Sequence, residues 1–225
     1  MKKAPLNHLW NWMFLSKACF IRICFTTENL STRLSLIFLF TVSVVCTSCN
    51  SKITQEDYIK WVRDYDNNIH VKTSHADFIF DLQYQPTEYV LLQRGVENYG
   101  KDARIEELKK LSRIQYYTLI ISTKDKIDLI TYGTNTKAEK EEKQYYFSYR
   151  FQNEITLEEN GQVLPCILYH AERPVTPNGG RTFVLGFENQ NKNAVTSKLV
   201  IQSDLFSASP VKIEVTKSNI PPVDL

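Results

Sequence analysis

Cys166 and His170 stand four residues apart in the run Leu164-Pro-Cys-Ile-Leu-Tyr-His170, and a thiol beside an imidazole is a pairing that can make a nucleophile. On a strand such residues share a face but lie about 13 Å apart, too far for the hydrogen bond that activates a thiol. Cys166, flanked by apolar neighbours, therefore reads as an inert buried thiol. The segment Gly95-Val-Glu-Asn-Tyr-Gly100-Lys101 has the spacing of a phosphate-binding loop. Asp102, however, occupies the position where such a loop needs a Ser or Thr hydroxyl for Mg²⁺, and Glu97 adds a second negative charge. No nucleotide and no other cofactor is expected there, and Lys101 reads as an exposed helix start. His70 and His75, with Asp77 nearby, match no tetrahedral or zincin spacing, so no metal is expected. Glu158 and Glu159 flank Asn160-Gly161 and read as carboxylates that solvate a turn.

One residue type is in excess. All 12 tyrosines follow residue 48, among them Tyr116, Tyr117, Tyr145, Tyr146 and Tyr149. Tyrosine suits sheets, and it also enriches binding surfaces because it joins apolar area to a polar tip. With no catalytic motif in view, the excess favours a binding role.

The elements that must position these residues begin with Thr54, which caps a helix over Gln55–Tyr65 whose Tyr58, Trp61, Val62 and Tyr65 share one face. Ala76–Gln85 alternates as a half-buried strand, with Phe78, Phe80, Leu82 and Tyr84 inward. Pro86 opens a short helix through Tyr89 to Gln93. Lys101–Leu111 is an amphipathic helix with Ile105, Leu108 and Leu111 in line, and Ile114–Ser122 is a central strand. Beyond Lys124 the expected strands are Lys126–Thr131, Gln144–Gln152, Ile155–Glu158, Val163–His170, Thr182–Glu188, Lys198–Ser203 and Val211–Thr216. Lys137–Lys143 is an exposed helical crossing between two of them, and Asn160-Gly161 is a type I′ hairpin turn. Helices and strands that lead into a run of strands define an α+β fold, its C-terminal half a mainly antiparallel, sandwich-like arrangement. The strand spacing of that half is similar to that of immunoglobulin-like domains found in exported bacterial lipoproteins.

Charge is divided unevenly. The chain holds 27 Lys+Arg against 25 Asp+Glu. Residues 1–48 carry Lys2, Lys3, Lys17, Arg22 and Arg33 against Glu28, which leaves 22 basic and 24 acidic residues beyond them, a net of −2. A near-neutral domain offers no footprint for nucleic acid. Cysteine is divided likewise: Cys19, Cys24, Cys46 and Cys49 precede a domain whose own cysteine is Cys166. If Cys49 carries another group, no disulfide can form within that domain, and packing must hold it together.

Leu34–Val45 is uncharged, follows Arg33, and is shorter than the roughly 20 apolar residues that span a bilayer. Cys46-Thr47-Ser48-Cys49 comes next. This arrangement resembles the lipobox of bacterial lipoproteins, Bacteroidota ones in particular, in which the final cysteine is acylated. Cys46 departs from the pattern, since an aliphatic residue is usual there. Residues 1–32 are longer and more mixed than an ordinary signal start, and a translation start upstream of the true signal accounts for them. The resemblance implies that residues 1–48 are a leader and signal peptide, Cys49 the lipidation site, 49–52 a tether and 53–225 one extracytoplasmic domain. Asn50-Ser51-Lys52-Ile53 lacks an acidic cluster for surface export, which implies the periplasmic face of the outer membrane. The expected function is non-enzymatic binding or scaffolding of an envelope protein or glycan. The alternative is an envelope hydrolase whose catalytic residues are dispersed along the chain.

Overall fold

The computed structural model describes residues 52–95, 98–190 and 194–225; Cys49 and its signal lie outside them, as do Val96 and Glu97. Helix α1 (Gln55–Arg63) starts where expected. Thr54 accepts from the Asp57 backbone N–H at 3.2 Å, with Glu56 and Asp57 in the first turn and Lys60 and Arg63 in the last, as the helix dipole favours. It ends two residues early. Asp64 turns extended and caps a 3₁₀ turn, Tyr65–Asn67, so Tyr65 swings off the expected apolar face and is 47% exposed.

Strand β1 (His70–His75) was not expected, because its sequence is polar on both faces; it is an edge strand paired antiparallel to β2 (Phe78–Gln85). Phe80 is fully buried, as the alternation predicts. Helices α2 (Thr87–Gln93) and α3 (Lys101–Leu111) follow, and then the central strand β3 (Ile114–Thr123). Helix α3 has its expected bounds but not its expected face: Leu111 is buried while Ile105 is 55% exposed.

Two expected strands are absent. Lys126–Thr131 forms turns, because the Asp128 carboxylate accepts from Ile130 N at 2.7 Å and folds the chain back on itself. Gln144–Gln152 is helical. A capping box between Thr136 and Glu139 starts α4 (Lys137–Tyr145), which widens into a π-helical turn, Tyr146–Arg150, and then a 3₁₀ turn, Phe151–Glu154. The aromatic residues there follow a spacing of four rather than two. Phe147 and Phe151 are buried, whereas Tyr145 and Tyr149 face out.

Strands β4 (Ile155–Glu159), β5 (Gln162–Val175), β6 (Arg181–Glu188), β7 (Thr196–Ile201) and β8 (Val211–Thr216) complete one antiparallel sheet of order β1-β2-β3-β6-β5-β4-β7-β8. Asn160 and Gly161 both take positive φ, 49° and 79°, as the type I′ turn between β4 and β5 requires. The C-terminal strands do not form a sheet of their own, since β6 pairs with β3. The fold is α+β. Strand β5 is shared by both halves of the sheet. Its first residues pair with β4 as far as Pro165, and those from Cys166 onward pair with β6. Curling brings the ends together, with Thr216 N donating to Asn68 O at 2.9 Å. Inside, Phe206 from the β7–β8 connection meets Phe78 and Phe80 edge-on, with ring centroids 4.9 and 5.2 Å away, and packs on Phe147 and Phe151.

Candidate functional site

The π-helical turn and the far end of β5 enclose a groove of about 720 Å³, within the range of ligand sites. One wall carries Gln144, Ser148, Tyr149 and Gln152; the other is β5 from Tyr169 to Arg173, backed by Arg181 and Phe183 of β6. Both walls are braced. The Tyr169 hydroxyl donates to the Phe147 carbonyl, and Gln152 Nε2 donates to Cys166 O at 2.8 Å. Arg181 bonds Asp128 Oδ2 at 2.7 Å, which ties the groove floor to the Asp128 turn. Tyr149, on the groove wall, lies one helical turn from Tyr145 with ring centroids at 5.2 Å, and the two are 68% and 57% exposed.

The β5 bulge decides the fate of the Cys166–His170 pair. Register shifts between Cys166 and Leu168, so alternation restarts and Tyr169 and Ala171 turn inward. Cys166 is buried and His170 exposed: the two do not share a face. Burial pushes the thiol up to about 11, and its S–H points at Leu168 O, 3.1 Å away. His170 lines the groove instead.

His70 is clamped rather than available. Nδ1 lies 2.7 Å from Arg63 O and Nε2 2.7 Å from Asp81 Oδ1, while the Tyr65 ring stacks on it at 3.8 Å. A carbonyl and a carboxylate both accept, so the geometry suits an imidazolium with a proton on each nitrogen. Burial works against that charge, but the bonds to Asp81 and Arg63 outweigh it and raise the pKa above its ordinary value. His75 lies at the other end of β1, and among the described residues no group of three or more His, Cys, Asp or Glu could hold a metal ion. Lys101 is exposed at the first turn of α3.

Glu159 departs most from expectation. It does not solvate the turn. Only 3% exposed, it bonds Lys217 Nζ at 2.5 Å and Gln115 Nε2 at 3.1 Å. Lys217 also donates to Gln115 Oε1 at 2.8 Å and sits 5.4 Å over the Tyr84 ring; Tyr117 OH links Gln115 to Ser197. Burial pulls the Lys217 pKa down against the pull of Glu159. The network braces the junction of β3, β4 and β7. Its members are scattered along the sequence, which is why no motif marked them.

No protein-family model matches the chain, and no curated protein does. Among solved structures, the chain is similar to a novel protein of unknown function from Burkholderia pseudomallei K96243, at 12% identity and a TM-score of 0.34, covering 79% of this chain and 98% of that one. A likeness of that degree carries no functional argument.

Proposed function

We propose that this is a lipid-anchored cell-envelope protein, held to the outer membrane through Cys49, whose domain binds an envelope protein or glycan without transforming it. The observation that carries the binding role is Tyr149, exposed on the groove wall with the exposed Tyr145 ring beside it. Large rings held in solvent at the lip of a polar groove are the amphipathic anchors that recognition surfaces use. The anchor rests on the Arg33 to Cys49 segment. A short tether suits the start of the described chain, where Ile53 N donates to Pro222 O at 3.0 Å and Lys52 pairs with Asp224 at 3.4 Å. We read the curled sheet as sandwich-like, its two halves sharing β5 and packing across the phenylalanine cluster.

The test is cross-linking of the membrane-anchored protein in its native envelope, followed by mass spectrometry, in parallel with a Tyr145→Ser/Tyr149→Ser variant. A specific partner that is captured by wild type and lost in the variant is the expected result. Identical captures would remove the groove from the reading.

A further inference from the structure

The groove meets β5 along its edge. Five consecutive residues, Tyr169 to Arg173, line it, although successive side chains on a strand point to opposite faces. An approach from the side, in the plane of the sheet, touches Tyr169, His170 and Ala171 together, and the bulge after Ala171 adds Glu172 and Arg173 to the same groove. That side is open. Pairing with β4 stops at Pro165, while β6 pairs with β5 in regular register from Leu168 to Ala171 and again, after a bulge, at Val175, so beyond Pro165 the strand has one strand neighbour among the described residues. In place of a second strand stand the π-helical turn and the 3₁₀ turn after it, whose Gln152 side chain meets the Cys166 carbonyl at 2.8 Å. Further along, the Arg173 carbonyl accepts from Arg181 at 3.4 Å, while an edge with no second strand, such as Tyr169–Ala171, leaves its outward N–H and C=O groups as a template for another strand. Pro174, which has no N–H, limits the open stretch.

We propose that the groove takes an extended peptide segment of a partner protein, which adds as a strand to β5 at Tyr169–Ala171, before the bulge, and lays one side chain against Tyr149. The stretch in regular register, Leu168–Ala171, spans about 10 Å, matching three or four residues of extended chain. A ladder of alternating backbone donors and acceptors complements another backbone, which favours a peptide over a sugar. The inference rests on the binding reading above and names its ligand class.

The full-length lipidated protein in detergent is panned against a random heptapeptide phage library. An enriched peptide is then resynthesised with N-methyl groups on its odd or its even residues. Enrichment of proline-poor sequences is expected. One methylation pattern should weaken binding about tenfold or more, as loss of several backbone bonds implies, and the other should leave it nearly intact. Tyr149→Ala should weaken binding to a similar degree, with Tyr149→Phe restoring most of it. Equal effects of the two patterns, or no enrichment, overturn strand addition. Tyr149-dependent binding of a soluble oligosaccharide panel without any peptide would overturn it too, yet leave the binding reading standing. If neither peptides nor oligosaccharides bind, both readings fall.

Discussion

Lys217 Nζ lies 2.5 Å from Glu159 Oε1, with the two side chains only 8% and 2% exposed. Such a pair stabilises little against an apolar replacement, but breaking it leaves one charge buried alone. Lys217→Met should therefore cost about 3–5 kcal/mol. Adding Glu159→Met to it should recover part of that loss. Urea melts of the two single variants and the double variant measure the coupling; additive losses would show that the two charges do not depend on each other.

The His70–Asp81 contact should make stability depend on pH in a defined direction. The raised pKa of His70 means its contribution is complete below about 6.5, the value in the unfolded chain, and is lost as pH rises through the higher folded value. Burial acts to raise the Asp81 pKa, but bonds from His70 and Tyr65 lower it below its ordinary value, so its contribution is present above about 3.9 and is lost as pH falls through the lower folded value. The pair is thus most stabilising between those limits. Asp81→Asn should flatten the fall on the alkaline side, measured as the urea midpoint from pH 5 to 9. An unchanged slope would mean that His70 is neutral in the folded protein.

What was legible in the sequence was local. Asn160-Gly161 announced its turn because only residues tolerant of positive φ sit there, and Lys101–Leu111 and Val211–Thr216 kept their bounds because their patterns have one period each. Residues 144–152 misled, since aromatic residues have high strand propensity and the capping box eight residues upstream of Gln144 decided otherwise. The bulge after Cys166 inverted a face that alternation alone assigned correctly up to that point. The Glu159 network was invisible because Gln115 and Lys217 reach Glu159 only across the curled sheet, in which β3 and β4 are not neighbouring strands, a property of the whole topology. The groove escaped for the same reason: its two walls become neighbours only where β4 leaves β5.

If Cys49 is the acyl acceptor, Cys49→Ser should shift the protein from the membrane fraction or block its processing, and labelled palmitate should no longer be incorporated. The folded domain should be unaffected, because the Ile53–Val223 bridge and the α1 cap lie downstream of the changed residue. Labelling that persists in this variant would remove the anchor from the proposed function while leaving the groove untouched.

Stability should rest on aromatic packing rather than on a covalent link. Phe80 is fully buried, with the Phe206 ring 5.2 Å away, and Phe80→Ala leaves a cavity at the centre of the phenylalanine cluster. The loss should be on the order of 3–5 kcal/mol, the range for deleting a buried ring, and a large part of an ordinary domain's margin. Reducing agent should have no effect, since Cys166 is a free, buried thiol at 8% exposure. Denaturant melts of wild type and Phe80→Ala, each with and without reductant, separate the two statements. A variant as stable as wild type would contradict the packing of Phe80 against Phe206. A reductant-sensitive midpoint would instead reveal a disulfide between chains, which would require Cys166 to leave the interior and give up its contact with Leu168 O.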